Sequence, residues 1–286
     1  MGFIMNIAYV NGEYVPIEDA KVSVRDRGLM FSDGVYEVAA IINGKLIDNF
    51  EHLKRLERSL SAIKLLSPVP VSEIPDLEKE LLTKNNIKEG TLYLHVTRGE
   101  SDREFAFPDI VKPSLVMFVQ SKNLIHLKPD DLSAIVITVP DIRWKRRDIK
   151  SIALIAQVMA KQIAKEEGAD EVWMVEDGCI TEGGSSNAFI IKGDKLITRN
   201  TDNMILSGIT RKAIMTLAED FGISIEERAF TVDEAYNATE AFFTSASAFI
   251  MPVVRIDGKL ISGGKPGPIS LKLRELYINF AIETAI

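Results

Sequence analysis

Thr181-Glu182-Gly183-Gly184-Ser185-Ser186-Asn187 sets one carboxylate among two glycines, two serines and an amide. A strand expected over 171–175 reaches this stretch through the turn Glu176-Asp177-Gly178, and a second strand, 188–191, leaves it. Glycine lets a backbone come close to another group or adopt dihedrals that a Cβ forbids. The small polar side chains add hydrogen bonds and little bulk. A flat polar ligand lying against a strand-to-strand loop needs this combination; a plain polar hairpin would also satisfy it. Two further stretches favour the ligand: Asp148-Ile149-Lys150-Ser151, and Ser207-Gly208-Ile209-Thr210-Arg211.

The bulk properties narrow the class. A chain of 286 residues has room for two domains. Its 46% hydrophobic and 26% charged residues are those of an ordinary globular protein. A net charge of −7 argues against a nucleic-acid surface, and the basic cluster Arg143-Trp144-Lys145-Arg146-Arg147 is local and followed by Asp148. One cysteine, Cys179, excludes an internal disulfide framework and fits a reducing cytosol, so a cytoplasmic protein is expected. No basic region precedes an apolar core at the amino terminus, so no signal peptide is expected. Asn6 stands where a myristoylation signal needs Ser or Thr. The most apolar tract, 241–254, is interrupted by Thr244, Ser245, Ser247 and Pro252 and is shorter than a span of about 20 residues, so no membrane partner is expected.

Along the chain, Asn11-Gly12 and Asn43-Gly44 mark hairpins. Residues 34–42 read as a buried strand carrying Tyr36 and Glu37. The spacing of Phe50, Leu53, Leu56, Leu60 and Ile63 predicts an amphipathic helix over 49–66, and Ser72 is placed to cap a second helix ending near Asn85. Strands are expected over 91–97 and 114–120, with a long polar loop, 98–108, between them; irregular loops of that length are often functional. Residues 1–121 form the expected small N-terminal domain, 122–131 a linker, and 132–286 a larger domain. In the latter, helices are predicted from Ser151 to about Glu167, from Gly208 to Phe221 with Ser207 as cap, and over 269–284. Hairpins interleaved with helices indicate an α+β fold rather than a doubly wound sheet.

The chemistry follows from three elements. Lys150 precedes the apolar run Ile152-Ala153-Leu154-Ile155, and a lysine whose stem enters apolar surroundings is biased toward the neutral, nucleophilic amine. Ser207-Gly208-Ile209-Thr210 opens a helix, and helix N-termini bind anions such as phosphate. Thr244-Ser245-Ala246-Ser247 offers a second phosphate wall, with Arg55 a source of charge. A lysine amine, an acid in a close-approach loop and a phosphate cup are what pyridoxal 5'-phosphate requires. Glu182 as the acid facing the ring nitrogen argues for transamination.

These pieces resemble the fold-type IV pyridoxal phosphate enzymes, the group of D-amino-acid, branched-chain and (R)-amine aminotransferases and aminodeoxychorismate lyase. The resemblance is strongest to the bacterial D-amino-acid aminotransferases. It is carried in order by Asp26-Arg27-Gly28, Asp33-Gly34-Val35-Tyr36-Glu37-Val38, Glu51-His52-Leu53-Lys54-Arg55-Leu56, Asp141-Ile142-Arg143-Trp144, Asp148-Ile149-Lys150-Ser151, Thr181-Glu182-Gly183 with Ser185-Ser186-Asn187, and Asn203-Met204-Ile205-Leu206 with Gly208-Ile209-Thr210-Arg211. It implies a small α/β domain and a larger antiparallel pseudo-barrel domain with helices. It implies that Lys150 is the Schiff-base lysine and proton shuttle, that Glu182 faces the pyridine nitrogen, and that Arg55, Ile209 and Thr210 hold the phosphate. Leu206 would lie against the ring, with Ser186, Asn187, Ser245 and Ala246 completing the cofactor set. Tyr36, Ser247 and Arg103 would bind the substrate, Arg103 from the other subunit of a homodimer. The implied reaction transfers the amino group of a D-amino acid such as D-alanine to a 2-oxo acid such as 2-oxoglutarate; no metal or nucleic acid is implied. A branched-chain L-amino-acid or (R)-amine aminotransferase is the alternative, and an aminodeoxychorismate-type lyase a more distant one. Two departures stand out: Glu104-Phe105 follows Arg103 where the D-amino-acid enzymes have Ala-His, and Ala246 replaces an expected threonine.

Overall fold

The computed structural model describes residues 6–110, 112–125, 127 and 131–286. Met1 and Gly2, where the myristoylation reading falls, and positions 126 and 128–130 of the expected linker lie outside the described residues. The chain forms two compact units. The first comprises Met1–Asn123, Ile149–Ala153 and Thr284–Ile286; the second comprises Leu124–Asp148 and Leu154–Glu283.

In the first unit, β1 (Ile7–Val10) and β2 (Glu13–Pro16) are joined at Asn11 and Gly12, whose φ of 51° and 106° are those a tight hairpin demands. A short helix α1 (Arg27–Phe31) follows. Next come β3 (Gly34–Ile42), β4 (Lys45–Leu46), α2 (Asn49–Ala62), α3 (Ile74–Asn85), β5 (Glu89–Thr97) and β6 (Ser114–Ser121). The six strands make one sheet in the order β2-β1-β6-β5-β3-β4, antiparallel throughout. Leu92, Leu94 and Val96 alternate along β5 toward a core closed by Leu53, Leu56 and Leu60 of α2 and Ile74 and Leu81 of α3. The stripe on α2 is therefore narrower than its sequence spacing suggests, because Phe50 at its first turn is exposed. Ser72 does not cap α3: it sits in a 3₁₀ turn, Val71–Glu73, and α3 begins after it with Pro75 in its first turn.

Residues 149–153 correct the expected helix start at Ser151. Lys150 C=O accepts from Tyr36 N–H at 2.9 Å, Ile152 N–H donates to Gly34 C=O at 3.1 Å, and Ser151 bridges Val35 in antiparallel fashion. These backbone groups are taken by β3 and are not available for a helix. An apolar run this short does not distinguish strand from helix by period alone.

The second unit is built from β7 (Ala134–Pro140), α4 (Ile155–Glu166), β8 (Glu171–Glu176), β9 (Cys179–Gly183), β10 (Asn187–Lys192), β11 (Lys195–Thr198), α5 (Ile209–Asp220), β12 (Ser224–Glu227), β13 (Phe230–Thr231), α6 (Val232–Tyr236), β14 (Glu240–Ser245), β15 (Phe249–Ile256), β16 (Lys259–Leu260) and α7 (Pro268–Thr284). Its ten-stranded sheet runs β12-β11-β10-β14-β15-β7-β8-β9-β13, with β16 paired to β15. Most pairings are antiparallel, but β11/β12, β7/β15 and β7/β8 are parallel. The core on one face gathers Trp173, Ile180, Ile190, Ile197, Phe230 and Ile256. Mixed α+β architecture is thus present in both units. Gly208, not Ser207, occupies the cap position of α5, in extended conformation and with no side chain capping the helix.

Candidate active site

In the first unit, strand alternation sends Glu37 to the α2 side of β3 and Tyr36 to the other. Glu37 is buried, with Oε1 accepting from Arg55 Nε at 2.7 Å and Oε2 accepting from Arg55 Nη2 at 2.8 Å; His52 Nδ1 lies 2.8 Å from Oε2. His52 and Arg55, one helical turn apart on α2, meet the same carboxylate. Burial opposes ionisation of Glu37, but the Arg55 guanidinium and His52 outweigh it and hold the carboxyl well below its usual range. Below them, Glu78 accepts from Asn49 Nδ2, while Glu78 Oε1 and Asn49 Oδ1 are both buried without partners. Burial pushes the Glu78 carboxyl up to about 7, against the Asn49 bond and with the help of the Glu37 charge.

Lys150 lies beside β3 and α2. Its backbone N–H donates to Ser59 Oγ at 3.4 Å, and its Nζ stands 4.2 Å from the centre of the Tyr36 ring. The structure therefore brings Lys150 to Tyr36 on β3 and to Ser59 on α2, the helix that carries Arg55. Arg103 is exposed on the loop between β5 and β6, its guanidinium near the rings of Phe31 and Phe105. That loop is tethered from within. Asp33 pairs with Arg27 and Arg98, Arg27 donates to the carbonyls of Glu104 and Phe105, and Arg98 lies 3.6 Å from the centre of the Phe107 ring.

In the second unit, Glu182 is buried at the end of β9. Its Oε1 accepts from Arg143 Nη1 at 2.5 Å, and its Oε2 accepts from Asn187 Nδ2 at 3.0 Å and from the Leu206 N–H at 3.1 Å. Arg143 is divided between two acids, since its Nε and Nη2 also reach Asp141 at 3.0 and 2.7 Å. Asp141 accepts from Thr181 Oγ1 and ion-pairs with the buried Arg147. Burial raises the Glu182 carboxyl above its usual value, and Arg143 opposes that shift without cancelling it. Burial also works against the Asp141 charge, but Arg143 and Thr181 outweigh it, so that carboxyl is lowered.

Around Glu182 the other expected residues assemble. Asn187 opens β10 and pairs in register with Thr244 of β14, next to Ser245. A Cβ on Gly208 would collide with Asn187 Oδ1, so only glycine lets the start of α5 approach β10 this closely. Ile209 and Thr210 lie in the uncapped first turn of α5, whose N–H groups have no intrahelical acceptor. Thr244 Oγ1 is buried with no partner. Ser245 Oγ accepts from the Ala248 N–H, and Ala246 and Ser247 are half-buried in the turn between β14 and β15. Ser186 is the exception: its hydroxyl donates to Glu171, which also accepts from the Gly184 N–H. Arg143, Glu37 and His52 have no role assigned from the sequence, although the runs Asp141-Ile142-Arg143, Asp33-Gly34-Val35-Tyr36-Glu37 and Glu51-His52 carry all three.

The family model for class IV aminotransferases matches residues 34–256. D-alanine aminotransferase of Staphylococcus haemolyticus is 41% identical over 274 residues, covering 95% of this chain and 96% of the relative. A solved branched-chain aminotransferase of Thermoproteus uzoniensis, with norvaline, superposes with a TM-score of 0.88 at 27% identity, covering 97% of this chain and 95% of that one. A T.th. branched-chain amino acid aminotransferase, solved with pyridoxamine 5'-phosphate, has the same fold at a TM-score of 0.88 and 24% identity, covering 96% and 93%. Fold-type IV aminotransferases use pyridoxal phosphate. The residues here suit that group: a buried carboxylate for a ring nitrogen, an uncapped helix start for a phosphate, and the orphaned Thr244 hydroxyl beside it. On sequence, fold and donor set together, the chain belongs to the class IV aminotransferases.

Proposed function

We propose that this enzyme transfers the amino group of a D-amino acid, D-alanine among them, to a 2-oxo acid such as 2-oxoglutarate. One observation carries the reading: the likeness to D-alanine aminotransferase at 41% identity runs over nearly the whole of both chains. Pyridoxal phosphate supplies an aldehyde for an amine to condense with and a ring that takes up the electron pair left by a departing α-proton. Lys150 Nζ would be the amine that holds the group and moves a proton. Glu182 keeps a proton on the ring nitrogen, and Arg143 keeps Glu182 charged. The Ile209 and Thr210 N–H groups, the Thr210 and Ser245 hydroxyls and the Ala246 N–H take the phosphate, with Arg55 as its counter-charge. Leu206 would lie against the ring, and Asn187 and Ser186 would shape its edge, Asn187 through Glu182 and Ser186 through Glu171.

Tyr36 and Ser247 receive the substrate carboxylate together with Arg103 of the partner subunit in a homodimer. A guanidinium grips a carboxylate with two parallel bonds. Exposed apolar side chains at Val24, Leu29 and Ile110, and at Ile155, Val158 and Met159 on α4, support an assembly of two copies. The one cysteine, Cys179, is a free thiol, which supports a reducing, cytoplasmic setting. Among the described residues, no helix is long and apolar enough to cross a membrane.

The test is a half-reaction panel read by cofactor absorbance, using D-alanine, L-leucine and an (R)-arylalkylamine. D-alanine is expected to convert the cofactor fastest; faster conversion by L-leucine moves the enzyme to the branched-chain group. In the same preparation, borohydride reduction and peptide mapping should label Lys150, and label on Lys145 or Lys161 removes its assignment.

A further inference from the structure

Arg274, on α7, is buried and makes no ion pair among the described residues. Its Nη1 donates to the carbonyls of Ala248 and Ile250, each at 2.7 Å, and its Nη2 donates to Leu124 C=O at 2.8 Å. Burial with no compensating acid lowers its pKa to about 10. A charged side chain buried among neutral carbonyls is an expensive arrangement, and a fold retains it where it holds something that would otherwise move. The residue between the two bonded carbonyls is Phe249, whose φ is +57°. Bulky side chains rarely adopt that conformation; turns at this place normally use Gly or Asn. Phe249 is fully buried, with its ring 5.4 Å from that of Tyr277, also on α7.

We propose that Arg274 is a positioning residue for the phosphate-binding turn Ser245-Ala246-Ser247. The bond to Ala248 C=O fixes the peptide plane that enters Phe249, and so fixes its positive φ. The alternative is a turned-over 248–249 peptide with Phe249 relaxed to negative φ. In that state the Ala248 C=O and the Phe249 N–H exchange directions, and the Ser245–Phe249 register that closes the turn on β14 is lost. The Ser245 hydroxyl and the Ala246 N–H then lose the orientation that a phosphate requires. This inference rests on the assignment of the turn to the cofactor phosphate, and the measurement separates the two.

Apo-protein is titrated with pyridoxal 5'-phosphate and, separately, with pyridoxal, which lacks the phosphate. Wild type should bind the phosphorylated form at least about a hundredfold more tightly. Arg274→Met, similar in length and without donors, should lose tenfold or more for pyridoxal phosphate and less than twofold for pyridoxal. Phe249→Gly placed in the Arg274→Met background should recover most of the loss, because glycine needs no clamp to hold positive φ. Should Arg274→Met fail to fold, Arg274→Lys, with fewer and differently aimed donors, carries the same comparison at a smaller loss. Equal losses for both ligands, or no loss for either, overturn the role of Arg274 while leaving the phosphate site intact. Wild type that fails to discriminate the two ligands overturns the phosphate assignment itself.

Discussion

Glu37 in the first unit and Glu182 in the second are both buried carboxylates met by an arginine, yet their carboxyls are shifted in opposite directions. Glu37 faces Arg55 with both oxygens and has His52 beside it, and its carboxyl is lowered. Glu182 takes one nitrogen of an arginine whose other two bonds go to Asp141, and its carboxyl is raised. A third acid completes the series: Glu78 has an amide and, among the described residues, no cation, and it is raised to about 7. All three are buried, so the guanidinium each carboxylate receives sets the direction of its shift. A group meant to anchor is given a full counter-charge.

Replacing Glu37 tests the fully compensated end of the series. Glu37→Gln strips Arg55 and His52 of their shared acid, and removing one partner of a buried pair costs about 3–5 kcal/mol. Urea unfolding at pH 7 measures it, and a loss under about 1 kcal/mol, the scale of an exposed pair, would remove the anchor role. Because the Glu37 carboxyl is lowered in the fold, its contribution is present above the unfolded value and is lost only as pH falls toward strong acid.

Glu78 tests the uncompensated end, with the reverse sign. In the fold its carboxyl keeps a proton up to about 7, whereas the unfolded chain releases it near 4.5. Stability from this group is therefore complete below the lower value and declines as pH rises through the higher one, by at most about 3 kcal/mol. Glu78→Gln should flatten the stability profile between those limits; an unchanged slope would show that Glu78 does not titrate there.

The half-compensated Glu182 shows its role in rate more than in stability, because Arg143 keeps Asp141 when Glu182 is neutralised. Glu182→Gln should slow single-turnover proton abstraction by roughly tenfold to a few hundredfold, the equivalent of about 1.5–3 kcal/mol for one charged hydrogen bond. Unaltered single-turnover rates with the cofactor still bound would detach Glu182 from the ring nitrogen.

The sequence announces single members of each functional pair and not the pairing. Glu182 is legible because its neighbours in the chain are glycines and serines, a local composition. Arg143 is not, since 39 positions separate it from Glu182 and it sits in a local basic run that names no acid partner. Arg55 is legible as a charge next to a helix stripe, but the acid that holds it lies on a neighbouring strand. The expected helix start at Ser151 fails for the same reason: pairing to β3, a tertiary fact, overrides the local apolar run. Hairpins at Asn11-Gly12 and Asn43-Gly44 are legible because their dihedrals are set by the two residues themselves. Arg274 leaves no local trace, since in a helix of mixed composition a buried arginine looks like an exposed one.

The first unit is assembled from three separate stretches of chain, and this has a consequence for how the polypeptide is made. Ile149–Ala153 supplies backbone partners to β3, and Ile286 exchanges hydrogen bonds with Leu46, so neither return can be omitted. While the chain emerges from a ribosome, β3 stays without its partners at Lys150 and Ile152, and Leu46 without Ile286, until those residues are synthesised. A gene cut between residues 123 and 124 would yield an amino-terminal fragment with that backbone bare and without the lysine that rests on it. This enzyme is thus poorly suited to domain-by-domain maturation or to split-protein reconstitution at that boundary.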